Sequence, residues 1–229
     1  MSHNEDGHPA GLLPENAYTE LKAGESYVPI VSAETGVPEV TGRSIAFGLA
    51  MTVLFSAAAA YIALKLGQGI ETAIPIGILA IGFSALARRK SGLLENVNIL
   101  AIGATSGIVV GGSVFVMPAI YILGLEGNFF QIFIVPFLGA VLGVLFLIPF
   151  RRYFTCEMHG RLPFPEATAT TEILVTGDKG GNQAKVLLYS LGAGMALDYI
   201  ALTFRAWSDT FTTSAIPALE AATARFKAV

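Results

Sequence analysis

Residues 45–64 read IAFGLAMTVLFSAAAAYIAL, 20 consecutive residues with no charge. At 1.5 Å per residue such a run is about 30 Å long as a helix, the thickness of a bilayer's hydrocarbon core. Four further apolar segments follow: Thr72–Ala87, Ile99–Leu123, Phe129–Phe150 and Val186–Phe204. Of the 229 residues 53% are apolar and 14% charged, and the mean hydropathy is +0.63. A disordered chain or an ordinary cytosolic enzyme does not have this composition. The expectation is an all-α, polytopic transmembrane helical bundle with about five spans in this chain, part of a larger bundle. Its solvent is the lipid bilayer.

Outside those segments the chain changes character. Residues 1–42 carry seven acids against the single Lys22 and are interrupted by Pro9, Pro14, Pro29 and Pro38, which reads as an acidic, solvated cytoplasmic tail. It has no basic start, short apolar core and small-residue cleavage site, so the first apolar segment is expected to be a retained span. Residues 43–204 form the membrane region, with a motif-bearing loop at 151–185. Residues 205–229 are too polar to span and suit an interfacial segment, with truncation of a longer protein as the other reading. With the N-terminus inside, ten Lys and Arg fall on the cytoplasmic side, including Arg88, Arg89, Lys90, Arg151 and Arg152, against four outside. The positive-inside bias therefore places the N-terminus in the cytoplasm of a plasma membrane, a bacterial inner membrane in a prokaryote.

Pro118 and Pro136 sit within the third and fourth segments as expected kinks. Gly103, Gly107 and Gly111 recur every four residues, as do Gly139 and Gly143, which gives both helices a smooth stripe for close packing. Packing within one bundle accounts for this, and a homo-oligomer is also compatible.

The tract after the fourth segment, Cys156-Glu157-Met158-His159-Gly160-Arg161-Leu162-Pro163-Phe164-Pro165-Glu166-Ala167-Thr168-Ala169-Thr170-Thr171-Glu172, is the richest in chemistry. Pro163 and Pro165 hold the entry extended and a hydroxyl-rich helix begins near Glu166. A helix N-terminus attracts anions, and broken helices of transporters use it in this way. A cytoplasmic loop with an ordinary cap accounts for the same residues. Thr168, Thr170 and Thr171 add hydroxyls. Glu166 and Glu172 lie six apart, about 120° around a helix, so they form no dyad. A carboxylate bordering a dry cavity holds a proton more readily than one in water. Asp198 lies within the last apolar segment, where a charge costs about 2.5–3.5 kcal/mol to insert and so faces a cavity, a polar partner or the nearby interface. Tyr61 and Lys65 share a helical face near the end of the first segment and suit either a pathway or an interface anchor.

The remaining chemistry is thin. Cys156, Met158 and His159 are close but have no recognised metal spacing, so no metal site and no cofactor is expected. The three histidines and one cysteine provide no nucleophile–base set, and catalysis has no visible machinery. With a net charge of −3 and no basic stripe, nucleic acid is not a partner.

Taken in order, Glu39-Val40-Thr41-Gly42-Arg43, Ala57 to Tyr61, Leu64-Lys65-Leu66-Gly67, Ile74-Pro75 and Leu162-Pro163-Phe164-Pro165-Glu166-Ala167-Thr168-Ala169 resemble the oligopeptide transporter family. Its plant branch includes the yellow-stripe metal–chelate transporters. The resemblance runs from about Glu39 to Thr203 and is nearest to a bacterial-type member. It implies a proton-coupled secondary transporter importing small peptides or peptide-like metal chelates, with this chain as an N-terminal portion. Glu166 stands where the metal–chelate branch carries a small hydroxyl residue, and the Ser-Pro-Tyr signature of the fungal and plant peptide branch is absent. The expected pathway residues are Pro163, Pro165, Glu166, Thr168, Thr170, Thr171, Glu172, Asp198, Tyr61 and Lys65. The alternatives are a non-transporting membrane scaffold or assembly subunit, or a non-functional fragment of a transporter.

Overall fold

The computed structural model describes residues 13–22, 24–32, 34–86, 91–162, 164–179 and 181–204. The Arg88–Lys90 cluster, Pro163 and the 205–229 segment lie outside them. Seven α-helices, and no strand, occur among the described residues: α1 Gly42–Leu66, α2 Ala73–Leu86, α3 Leu93–Val109, α4 Met117–Ile122, α5 Phe129–Arg152, α6 Pro165–Lys179 and α7 Gly181–Phe204. Residues 13–188 belong to one compact unit, and the rest of α7 belongs to a second.

Each helix end has a local cause. Thr41 accepts the Ser44 N–H and Ser44 returns a bond to the Thr41 N–H, a reciprocal cap that starts α1. Gly67, at φ +70°, ends it in the left-handed conformation that glycine adopts without strain. Glu71 accepts the Ala73 N–H at 2.9 Å and starts α2. The third apolar segment begins six residues earlier than hydropathy suggests, at Leu93, because Glu95 folds back to accept the Gly92 N–H at 3.2 Å. Glu95 and its neighbour Asn96 are both 2% exposed. Beyond Val109 the helix widens into a π segment, Val110–Val114, before α4. Pro118 occupies the opening turn of α4, where its missing N–H costs little.

Three stretches are long and apolar enough to cross a membrane: Gly42–Leu66, Leu93–Ile122 and Phe129–Glu157. Helices occupy all five expected segments, but α2 has 14 residues, about 21 Å, and α7 opens on the polar Asn182, Gln183 and Lys185. α5 carries apolar side chains on every side, with Phe129 81% and Phe146 69% exposed. Water does not tolerate so much continuous apolar surface, whereas hydrocarbon does. The molecule is a multi-pass membrane protein.

α1, α2, α3 and α6 pack together. Gly48 brings α1 against Ile102 of α3, and Gly103 brings α3 against Ile76 of α2. Ile76, Ala80 and Ile99 are buried there beneath Phe47, Met51, Phe55 and Leu100. Thr52 Oγ1 lies 2.9 Å from both the Gly48 and Ile102 carbonyls and ties α1 to α3. Gly107 meets the Ile70 carbonyl and Thr72, whereas Gly111, Gly139 and Gly143 have nothing within 4 Å of a Cβ position. Gly177 lets α6 lie against the Ile81 side chain of α2.

Candidate functional site

α6 starts as its sequence dictates. Pro165 supplies a helical φ at the first position, and Glu166 follows in the first turn, where the helix dipole favours a negative charge. Leu174, Val175 and Thr176 are buried, with Leu174 and Gly177 facing α2. The opening turns of α6 border a cleft of about 330 Å³ shared with α3 and the start of α2. This volume is at the lower end for small-molecule sites. Glu71 and Glu166 supply its carboxylates, Thr170 and Thr171 its hydroxyls, and Ala101 and Ala104 part of its apolar wall.

The threonine hydroxyls have little donor capacity left. Thr168 donates to the Phe164 carbonyl at 3.0 Å, Thr170 to the Glu166 carbonyl at 2.6 Å and Thr171 to the Ala167 carbonyl at 2.7 Å. A hydroxyl has one proton, so each one spent within the helix leaves only lone pairs facing outward. Ionised carboxylates also only accept. The polar side chains lining the cleft are thus acceptors, suited to a cation, an ammonium group or an N–H donor.

The other expected site residues lie elsewhere. Glu172 is on α6 but accepts a hydrogen bond from the Tyr18 hydroxyl and is not in the cleft lining. The Tyr18 pKa is pushed up to about 12, by burial first and then by the hydrogen bond and negative charge of Glu172. Tyr61 is 66% exposed and Lys65 is exposed in the last turn of α1. Asp198 is exposed on the part of α7 that belongs to the second unit. Cys156 is exposed, and His159 Nε2 lies 2.8 Å from the Asn16 carbonyl. No group of three His, Cys, Asp or Glu gathers for a metal among the described residues.

Glu71 is the cleft residue that sequence reasoning did not single out. Its signal is present: an acid two residues before an apolar helix marks an N-terminus, and an acid at the edge of a membrane segment invites a functional reading. A second polar group is fully enclosed nearby, where Ser106 donates to Thr72 at 3.0 Å and both residues are 0% exposed. Buried hydroxyls in a bundle find each other in this way.

The family model for the OPT oligopeptide transporter protein matches residues 39–226. A Haemophilus influenzae protein named "Putative oligopeptide transporter" is 30% identical over 138 residues, covering 59% of this chain and 21% of that protein. The chain thus spans about a fifth of the length of the curated relative it matches. No solved structure matches. The matched residues take in α1 to α7 and both carboxylates of the cleft, and the chain belongs to the OPT oligopeptide transporter family.

Proposed function

We propose that the protein acts in a secondary active transporter that imports oligopeptides or peptide-like metal chelates together with protons, across a plasma membrane and with its N-terminus in the cytoplasm. It does this without catalysing a chemical reaction on its cargo. The observation that carries the reading is the acceptor-lined cleft with Glu71 and Glu166 in a member of this family. A peptide offers such a wall its terminal ammonium and its amide N–H groups. A carboxylate that takes a proton on the side of higher proton activity and releases it on the other biases an alternating-access equilibrium. Asp198, set in an apolar helix, is a second proton candidate. Pro165 fixes where α6 begins and so where Glu166 stands.

The test is uptake of a labelled di- or tripeptide into vesicles containing the complete protein under an inward proton gradient. Glu71→Gln, Glu166→Gln, Glu172→Gln and Asp198→Asn are compared singly. Gradient-driven uptake is expected to fall at least tenfold in Glu166→Gln. Uptake unchanged in all four removes the site assignment. No uptake by the unaltered protein favours the scaffold reading.

A further inference from the structure

The acidic segment before α1 is only partly solvated. The described residues among 14–27 fold into a short loop of their own: Ala17 N–H donates to the Pro14 carbonyl at 2.9 Å, Asn16 Nδ2 donates to the Ser26 carbonyl at 3.4 Å, and the Lys22 N–H donates to Glu25 at 3.1 Å. This loop lies across the turn after α5 and onto α6, more than 130 residues away in sequence. The Asn16 carbonyl meets His159 Nε2, the Tyr27 ring stands 5.5 Å from the His159 ring, and Glu20 pairs with Arg161 Nε at 3.4 Å. The backbone of Thr19 and Glu20 presses on Gly160, which stands at φ +73° and leaves no room for a Cβ. Tyr18 donates to Glu172, well along α6.

We infer that residues 14–27 form a releasable strap that clamps the α5–α6 turn and restrains α6, one wall of the cleft. Two features make it releasable. The contacts are at the surface: Arg161 and Glu20 side chains are 59% and 58% exposed and Tyr18 is 40% exposed, and exposed pairs of this kind are individually weak. Almost all the described residues of the linker from Val28 to Thr41 are exposed, and it contains Pro29 and Pro38. Its 14 residues reach up to about 46 Å when extended, so the strap can lift off without disturbing the cap at Thr41. That release frees a wall of the transport route rests on the transport reading above; that it frees α6 does not.

Amide hydrogen exchange on the complete protein in lipid nanodiscs separates the two. In Tyr18→Phe/Glu20→Gln, which keeps ring and chain length, amides of residues 167–176 are expected to exchange at least fivefold faster, with α1 and α3 unchanged. Unchanged exchange in α6, or equal acceleration in α1 and α3, overturns the strap. Uptake by the same variant is expected to rise several-fold, and uptake that stays level or falls overturns its restraining role. If the unaltered protein moves no peptide, the transport reading fails while the exchange result still decides the strap.

Discussion

Replacing Gly103 by Ala tests how closely α2 and α3 must approach. The added methyl carbon would stand 2.8 Å from Ile76 Cγ2, 3.1 Å from its Cδ1 and 3.4 Å from Met51 Cβ. Carbon pairs rest at about 3.5–4.0 Å, so the backbones must separate by roughly 1 Å or Ile76 must turn. Ile76 is 0% exposed, and a β-branched side chain in a helix has essentially one χ1 state, so turning is closed to it. Overpacking of this kind costs about 1–3 kcal/mol. Alanine returns up to about 1 kcal/mol over glycine in helix propensity, which leaves a net loss of up to about 2 kcal/mol. For a chain of this size that is a melting temperature lower by up to roughly 8 °C, read as loss of helical circular dichroism in detergent. Gly111→Ala is the control, since nothing lies within 4 Å of its Cβ position, and it is expected to melt at or above the unaltered protein. Adding Ile76→Ala removes Cγ2, so the double variant is expected to lose less than the two single losses combined. Gly103→Ala melting no lower than Gly111→Ala would refute the close approach.

Two further outcomes follow from contacts described above. Thr52→Val removes the hydroxyl between the Gly48 and Ile102 carbonyls and is expected to lower stability by about 0.6 kcal/mol, the average for interhelical hydrogen bonds in membranes, and by no more than about 1.7 kcal/mol, measured by denaturation in mixed micelles. Because the folded Tyr18 pKa of about 12 lies above the ordinary 10, the folded state holds the proton that the unfolded chain loses. Its stabilisation is therefore complete below pH 10 and declines as pH rises from 10 towards 12. Ultraviolet titration of tyrosinate is expected to show a late component that disappears in Tyr18→Phe.

Much of the fold was legible because a membrane span needs only length and apolar composition, and residues 45–64 and 129–150 have both. The start of α3 was not legible, since hydropathy treats Glu95 and Asn96 as breaks whereas one caps the helix and both are enclosed. The spacing of the glycine stripe is continuous, but its partner is not: Gly103 and Gly107 meet α2 and the residues just before it, whereas Gly111, one turn further on and inside the π segment, faces open space. Of the cleft lining, Glu166, Thr170 and Thr171 are legible from proline and helix-start chemistry, whereas Pro165 and Thr168 do not line it. Glu71 is separated from Glu166 by 94 residues of sequence, and no local pattern brings them to one cleft. The pairing of Tyr18 with Glu172 was hidden for the same reason.

α5 has one further consequence. A rod greasy on every side feels no torque from surrounding lipid, so composition alone sets no preferred azimuth. Its two prolines do break the symmetry. Pro136 and Pro149 lack an N–H, so the carbonyls of Ile132 and Leu145 lose their usual donors. Those carbonyls are 13 residues apart, about 20 Å along the axis and roughly 140° around it. An otherwise uniform cylinder thus bears two polar marks at different depths on nearly opposite flanks, and hydrocarbon answers neither. Whatever fixes the rotation of α5 must offer a hydrogen-bond donor at both levels.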